Sequence, residues 1–168
     1  MARITSSRLL TAAALAGLLA AVSGGAGIAA ASGKAVSPEK AQAAITARQD
    51  NMKGIAGAFK IVRGELAKDA PDFALIAANA SDINARARKI GSSFPAGSGA
   101  AEGFKSTAAP AIWAKPDAFK AAAKKLADES GKLATLAGQR DKAAVTAQAL
   151  AMGGACKGCH DQFRTETK

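Results

Sequence analysis

The sequence predicts an all-α protein built as an antiparallel four-helix bundle. Three observations lead there. Ala, Lys and Leu are abundant, which favours helix, while Tyr is absent and β-branched residues are sparse. Apolar residues recur at steps of three and four over four segments. The connections between those segments read as short, long and short, which fits neighbouring antiparallel helices with one extended crossover.

The first segment opens at Ser37-Pro38-Glu39, a candidate N-cap followed by proline at the first helical position and an acid in the first turn. Its inward stripe is Ile45, Arg48, Met52, Ile55, Phe59, Val62 and Leu66, and it ends near Lys68. The second begins around Asp69-Ala70-Pro71-Asp72 and carries Phe73, Ile76, Ala80, Ile83, Ala87 and Ile90, with Gly91 as its expected stop. Residues 91–115 lack a helical period. They hold Gly91, Pro95, Gly97, Gly99, Gly103 and Pro110 and read as a long loop. Phe94, Phe104, Ile112 and Trp113 predict that this loop folds back onto apolar surface. The third helix starts near Pro116-Asp117 and buries Phe119, Ala122, Ala123, Leu126, Leu133 and Leu136. Gly138-Gln139-Arg140 reads as a short connection to Asp141, the next N-cap. The fourth helix presents Val145, Ala149, Met152, Cys156, Cys159 and Phe163.

Residues 1–31 stand apart. They carry Arg3 and Arg8, no acid, an apolar run from Leu9 to Val22, and small residues ending in Ala29-Ala30-Ala31. This is the pattern of a cleaved secretory signal, which leaves residues 32–168 as one domain in an exported, periplasmic protein. The apolar run falls short of the roughly 20 residues of a membrane span. With 49% hydrophobic residues a disordered chain is excluded, and the net charge of +10 describes a small basic protein.

The chemistry lies in five residues. The sequence has two cysteines and one histidine, and all three fall in Cys156-Lys157-Gly158-Cys159-His160, a C-x-x-C-H run that matches the c-type haem attachment signature. Each thiol adds to a haem vinyl group, and His160 reaches the iron from one face. On a helix Cys156 and His160 are one turn apart, so the attachment and the ligand share a side. Three other readings compete. A disulfide across so small a loop constrains little of the unfolded chain. A thioredoxin-like pair needs a strand–helix setting that the pattern lacks. A zinc site needs four ligands.

An export signal, a four-helix pattern, Arg48-Gln49-x-x-Met52-Lys53, Trp113 before the third helix, and Cys156-Lys157-Gly158-Cys159-His160-x-x-Phe163-Arg164 together resemble the class II c-type cytochromes, the cytochrome c′ family. The resemblance implies an up-down-up-down four-helix bundle with one covalent haem c inside one end. It places a propionate contact at Arg48 and at Gln49, and a basic residue near the proximal haem side at Arg164. It also puts the distal residue at Met52. In a low-spin branch of the family that methionine is the sixth iron ligand. In a high-spin branch the iron has five ligands and an apolar distal pocket admits nitric oxide or carbon monoxide. Homodimers through the first two helices are a further expectation from the resemblance.

Each residue also has a plainer reading. Arg48 in an apolar stripe can be a snorkelling side chain. Arg164 is a cation suitably placed at a helix C-terminus. Met52 can fill an irregular core gap. Phe59 and Phe163 read as packing, and Trp113 as the anchor of the long loop. Ser106 and Thr107 are candidates to meet a propionate. Lys120, Lys124, Lys125 and Lys132 read as a solvated face that steers acidic redox partners. No nucleic-acid partner and no stable membrane insertion are expected. With no second histidine and no nucleophile–base pair, the reading is a periplasmic one-electron carrier and not an enzyme. The rival is a five-coordinate gas binder. Geometry favours Met52 as a ligand: it lies 14 residues beyond Pro38 and His160 lies 8 before the chain end. In antiparallel helices the offset is roughly 9 Å at about 1.5 Å per residue.

Overall fold

A computed structural model describes residues 34–166. The expected export segment, residues 1–31, lies outside the described residues. Four long helices form the molecule: α1 (Pro38–Leu66), α2 (Phe73–Ala87), α4 (Pro116–Gln139) and α5 (Lys142–Phe163). A one-turn helix, α3 (Ala111–Ala114), precedes α4. The order is that of an up-down-up-down four-helix bundle.

Sequence determines where these helices start. Asp72 caps α2 by accepting the Leu75 N–H at 2.9 Å. Asp141 caps α5 by accepting the N–H groups of Ala143 at 2.9 Å and Ala144 at 3.1 Å. Ser37 occupies the N-cap position of α1 without a capping bond from its side chain, and Pro38 follows it as expected.

The stops differ from expectation in two places. α2 ends at Ala87 and not at Gly91. The chain tightens there: Lys89 N–H donates to Arg86 O, and Ile90–Ser92 form a 3₁₀ turn that contains Gly91. Ile90 is thereby carried back onto the core. α4 runs through Gly138 and Gln139, and its left-handed terminating residue is Arg140, at φ 60° and ψ 25°. The expected irregular loop between α2 and α4 also gains structure, with a second 3₁₀ turn at Ala100–Glu102 besides α3.

The inward stripes meet as predicted. Ile45, Val62, Ile76, Ile83, Leu133, Val145 and Met152 are fully buried. Alanines at 80, 87, 123, 127 and 137 are buried with them, which lets α2 and α4 approach closely. Each neighbouring pair of helices also carries a side chain bonded to the opposite backbone. Asn51 Nδ2 donates to Arg86 O (3.1 Å), Asn84 Nδ2 to Ala127 O, and Gln148 Nε2 to Glu129 O (3.0 Å). A Cβ at Gly131 would stand 3.2 Å from Asn84 Nδ2, so the glycine leaves room for that bridge. Glu65 closes the α1–α2 turn, accepting from Lys68 Nζ at 2.6 Å and from the Asp72 N–H at 3.1 Å. The Lys68 bond, then the Asp72 N–H, hold its carboxyl below the usual range. That support is present above the unfolded carboxyl's pKa and is lost as pH falls through the lowered value.

The helices do not close into a symmetric square. α1 packs on α2, α2 on α4 and α4 on α5, while α1 and α5 touch sparsely. Phe59 of α1 faces Gly153 of α5, where an added Cβ would lie 3.6 Å from the ring. Below that level the two helices flank a cavity.

Arg140 offers a direct test of the α4 stop. A left-handed non-glycine residue costs about 1–2 kcal/mol, partly offset by the chain entropy that glycine adds to the unfolded state. Arg140→Gly is expected to raise the denaturant midpoint at unchanged slope, by about 0.5–1 kcal/mol of stability. A fall in the midpoint would contradict this account of the turn.

Candidate functional site

The α1–α5 cavity has a volume of about 590 Å³, within the usual range for a small-molecule site. Its walls are mainly apolar: Ile55, Ala56, Phe59, Ile90, Phe94, Ile112, Phe119, Ala122, Ala123, Leu126 and Phe163. Into it come Met52 from α1 and Cys156, Cys159 and His160 from α5. The sequence places all three motif residues within the last two turns of α5, and the helical repeat turns them to one side.

Cys156 and Cys159 are half-buried free thiols and are not joined as a disulfide. Burial pushes both thiols up, and for Cys159 the neighbouring Cys156 adds to the effect. Burial, followed by the charge of Arg164, lowers the His160 imidazole, which favours the neutral, ligand-competent form. His160 and Arg164 keep an exposed side although both line the cavity.

The charged lining has one sign. Arg48, Lys53 and Arg164 reach the cavity, and no carboxylate is among the residues that line it. Arg48 is the extreme case, being only 4% exposed. Its guanidinium donates from Nη1 to Ser98 Oγ at 2.7 Å, and from Nη2 to Ser98 O and to Ser106 Oγ (2.8 Å). The Phe94 ring lies 4.5 Å from its Cζ. Burial lowers its pKa, yet a guanidinium stays charged at any ordinary pH. Among the described residues no acid pairs with it.

Aromatic rings join this corner to the motif. Phe94 meets Phe119 edge-on at 4.9 Å, and Phe119 meets Phe163 at 5.3 Å. Backbone bonds do the same. Ala109 N–H donates to Phe163 O (3.0 Å) and Thr165 N–H to Thr107 O (2.9 Å), forming an antiparallel bridge between Ala108 and Arg164. The crossover loop is therefore stitched to the chain just beyond His160. Trp113 anchors the loop as expected, its indole N–H shared between Phe94 O (3.1 Å) and Pro95 O (3.2 Å).

The expected site residues fall together. Arg48, Gln49, Met52, Thr107, Cys156, Cys159, His160 and Arg164 all line the one cavity. Gln49 is exposed, and its amide donates to Lys105 O at 3.1 Å. Thr107 takes part through its carbonyl, bonded to Thr165, while Ser106 is the loop side chain that reaches Arg48. Ser98 carries no signal in the sequence. It is fully buried, yet it sits between two glycines in a stretch without a period.

The site fits a haem. It offers two thiols on one helical side, a neutral imidazole beside them, an apolar hollow, and buried positive charge, without a counter-ion among the described residues, for the two haem carboxylates.

Comparison with known proteins gives the same direction. Residues 43–164 match the family model described as Cytochrome C'. A cytochrome c' of Pararhodospirillum photometricum is 38% identical over 122 residues, 72% of this chain and 90% of the relative. A cytochrome c-556 of Agrobacterium tumefaciens (strain II Chrys) is 35% identical over 122 residues, 70% of this chain and 93% of the relative. The crystal structure of cytochrome c' from Rubrivivax gelatinosus superposes with a TM-score of 0.64 at 34% identity, covering 73% of this chain and 94% of that one.

Proposed function

The chain belongs to the cytochrome c′ family, and from that premise we propose that it is a periplasmic monohaem cytochrome acting as a one-electron carrier, with Met52 as the distal iron ligand. The family binds one covalent haem c. The observation that carries the reading is the meeting of Met52, from α1, with Cys156, Cys159 and His160, from α5, in a single apolar cavity. When bound, the haem supplies an iron that cycles between the ferrous and ferric states.

The residues of this chain have distinct tasks. Cys156 and Cys159 would each add S–H across a vinyl double bond, leaving two thioethers. His160 would hold the iron from the α5 side. Met52 offers a thioether from α1, a soft ligand suited to a low-spin carrier. Arg48 and Arg164 offer charge to the two propionates, with Gln49 and Thr107 beside them. The apolar wall would shield most of the bound group from water. No protein side chain is assigned a catalytic step.

Export is supported by the composition of residues 1–31, and no helix of the described residues is long and apolar enough to cross a membrane. Lys53 and Arg164 at the cavity, and the net charge of +8 that residues 32–168 keep once Arg3 and Arg8 leave with the export segment, suit a redox partner that is acidic at its contact surface. A second copy is a further partner: Ile61 of α1 (43% exposed) and Leu75 of α2 (39% exposed) present apolar surface on the first two helices. Sedimentation of the holoprotein is expected to give a dimer that Ile61→Lys weakens, and a wild-type monomer at all concentrations would remove this partner.

A second reading is favoured by the wall around Met52. Ile55, Ala56 and Phe59 make that side apolar, as a site for nitric oxide or carbon monoxide at a five-coordinate iron requires. One experiment separates the two readings. The low-spin carrier is expected to show a sulfur–iron charge-transfer band in the near infrared of the ferric protein. Met52→Ala should abolish it and open the site to carbon monoxide. A wild type already high-spin that takes up the gas readily selects the gas-binding reading.

Covalent attachment is tested separately. Acidified acetone should leave the haem on the exported protein. His160→Ala should yield little stable holoprotein, because ligation is coupled to the fold. Complete extraction of the haem would refute attachment through Cys156 and Cys159.

A further inference from the structure

Arg48 is held in a way that simple satisfaction of a buried cation does not require. An arginine buried to this degree is ordinarily paired with a carboxylate. Here every acceptor is neutral: Ser98 Oγ, Ser98 O and Ser106 Oγ. Neutral acceptors fix the direction of a guanidinium without cancelling its charge. A carboxylate in either serine's place would do the opposite.

The acceptors are themselves fixed. Ser98 Oγ donates its own proton to Pro95 O at 2.8 Å, so its lone pairs are left for Arg48. Pro95 O and Phe94 O also receive the Trp113 indole N–H. Gly99 has no space for a side chain: an added Cβ would lie 2.7 Å from Glu102 Oε2 and 2.9 Å from the Trp113 ring. Loop residues 94–99 are thus clamped against Trp113 on one side and wrapped around Arg48 on the other. The ring of Phe94 covers one guanidinium face.

A guanidinium has five N–H groups. Both on Nη2 and one on Nη1 are taken by the serines. The second on Nη1 and the one on Nε have no bond to a described residue, and Nε is not sealed from solvent, since no buried side-chain nitrogen among those residues is without a partner. Arg48 lines the cavity, which leaves these two separate donors for a group bound there.

We propose that Ser98 and Ser106 are positioning residues, acting through Arg48 to aim its remaining N–H donors and its uncancelled charge at a carboxylate in the cavity. This rests on the reading that Arg48 receives a haem propionate. The carboxylate is then kept ionised by a charge whose direction is set by the crossover loop.

The holoprotein supplies the test. Its midpoint potential is measured between about pH 4 and pH 9 for the wild type, Ser98→Ala, Ser106→Ala, Ser106→Thr and Arg48→Gln. A carboxylate near the iron imprints its ionisation on that curve as an inflection. Ser98→Ala and Ser106→Ala should each move the inflection upward, by about one pH unit for the larger effect, a tenfold rise in proton affinity. Ser106→Thr keeps the hydroxyl and should restore the wild-type curve. Arg48→Gln should move it at least as far as either alanine variant. Alanine curves that overlay the wild type, with Arg48→Gln displaced, would overturn the positioning role and leave the serines as structural. A curve that Arg48→Gln also leaves in place would remove the underlying reading of Arg48. Ser106 is only half-buried, so its variants report even if Ser98→Ala fails to fold.

Discussion

A positive charge buried without a counter-ion among the described residues organises one end of this bundle. Arg48 interrupts an otherwise apolar stripe on α1, and at 4% exposure it cannot use water as its main partner. Leaving its donors unmet would cost roughly 1–3 kcal/mol each, more for a charged group. The chain meets most of them from the loop, with Ser98, Ser106 and the face of Phe94. The crossover between α2 and α4 must therefore be long enough to reach α1. Its length follows from a task, since a direct connection of two adjacent helices needs only a few residues.

The two ends of the molecule contrast for physical reasons. Towards the α1–α2 and α4–α5 turns, alanines and branched aliphatic residues interlock, capped by Asp141 and closed by Glu65. At the other end α1 and α5 separate, and the wall is completed by the loop. The bridge between Ala108 and Arg164 ties that loop to the segment following His160. Helix α1, the crossover and the end of α5 thus form one connected enclosure, although α1 and α5 make little contact with each other.

Much of this was legible in the sequence. Steps of three and four locate buried positions because the helix imposes that repeat, and Ile45, Val62, Ile76, Leu133 and Val145 are buried as read. The attachment motif is legible because its chemistry needs fixed residue types at fixed spacing. The helix stops were less legible. Gly91 and Gly138 invited termination, but a 3₁₀ turn that carries Ile90 onto the core prevailed at one place, and Arg140 took the left-handed position at the other. Ser98 was invisible because its role comes from a partner 50 residues away, and loop conformation has no period to betray it. Long-range polar contacts of this kind depend on where the backbone goes, which local spacing does not encode.

The charge pattern links the fold to the function. A cavity lined by Arg48, Lys53 and Arg164, with no lining carboxylate, is electrostatically incomplete by itself. Self-repulsion among like charges and a desolvated guanidinium both oppose its closure. A dianionic group that fills the hollow relieves both and adds apolar contact with Phe94, Phe119 and Phe163. The same arrangement explains why the enclosure is built from a loop and not from a fifth long helix. A helix would spend its backbone carbonyls on itself, whereas the loop is free to turn Ser98 O towards Arg48 and Thr107 O towards Thr165. Orienting a charge without neutralising it requires acceptors that are polar and uncharged, and an irregular, serine-bearing backbone supplies them where a regular element does not.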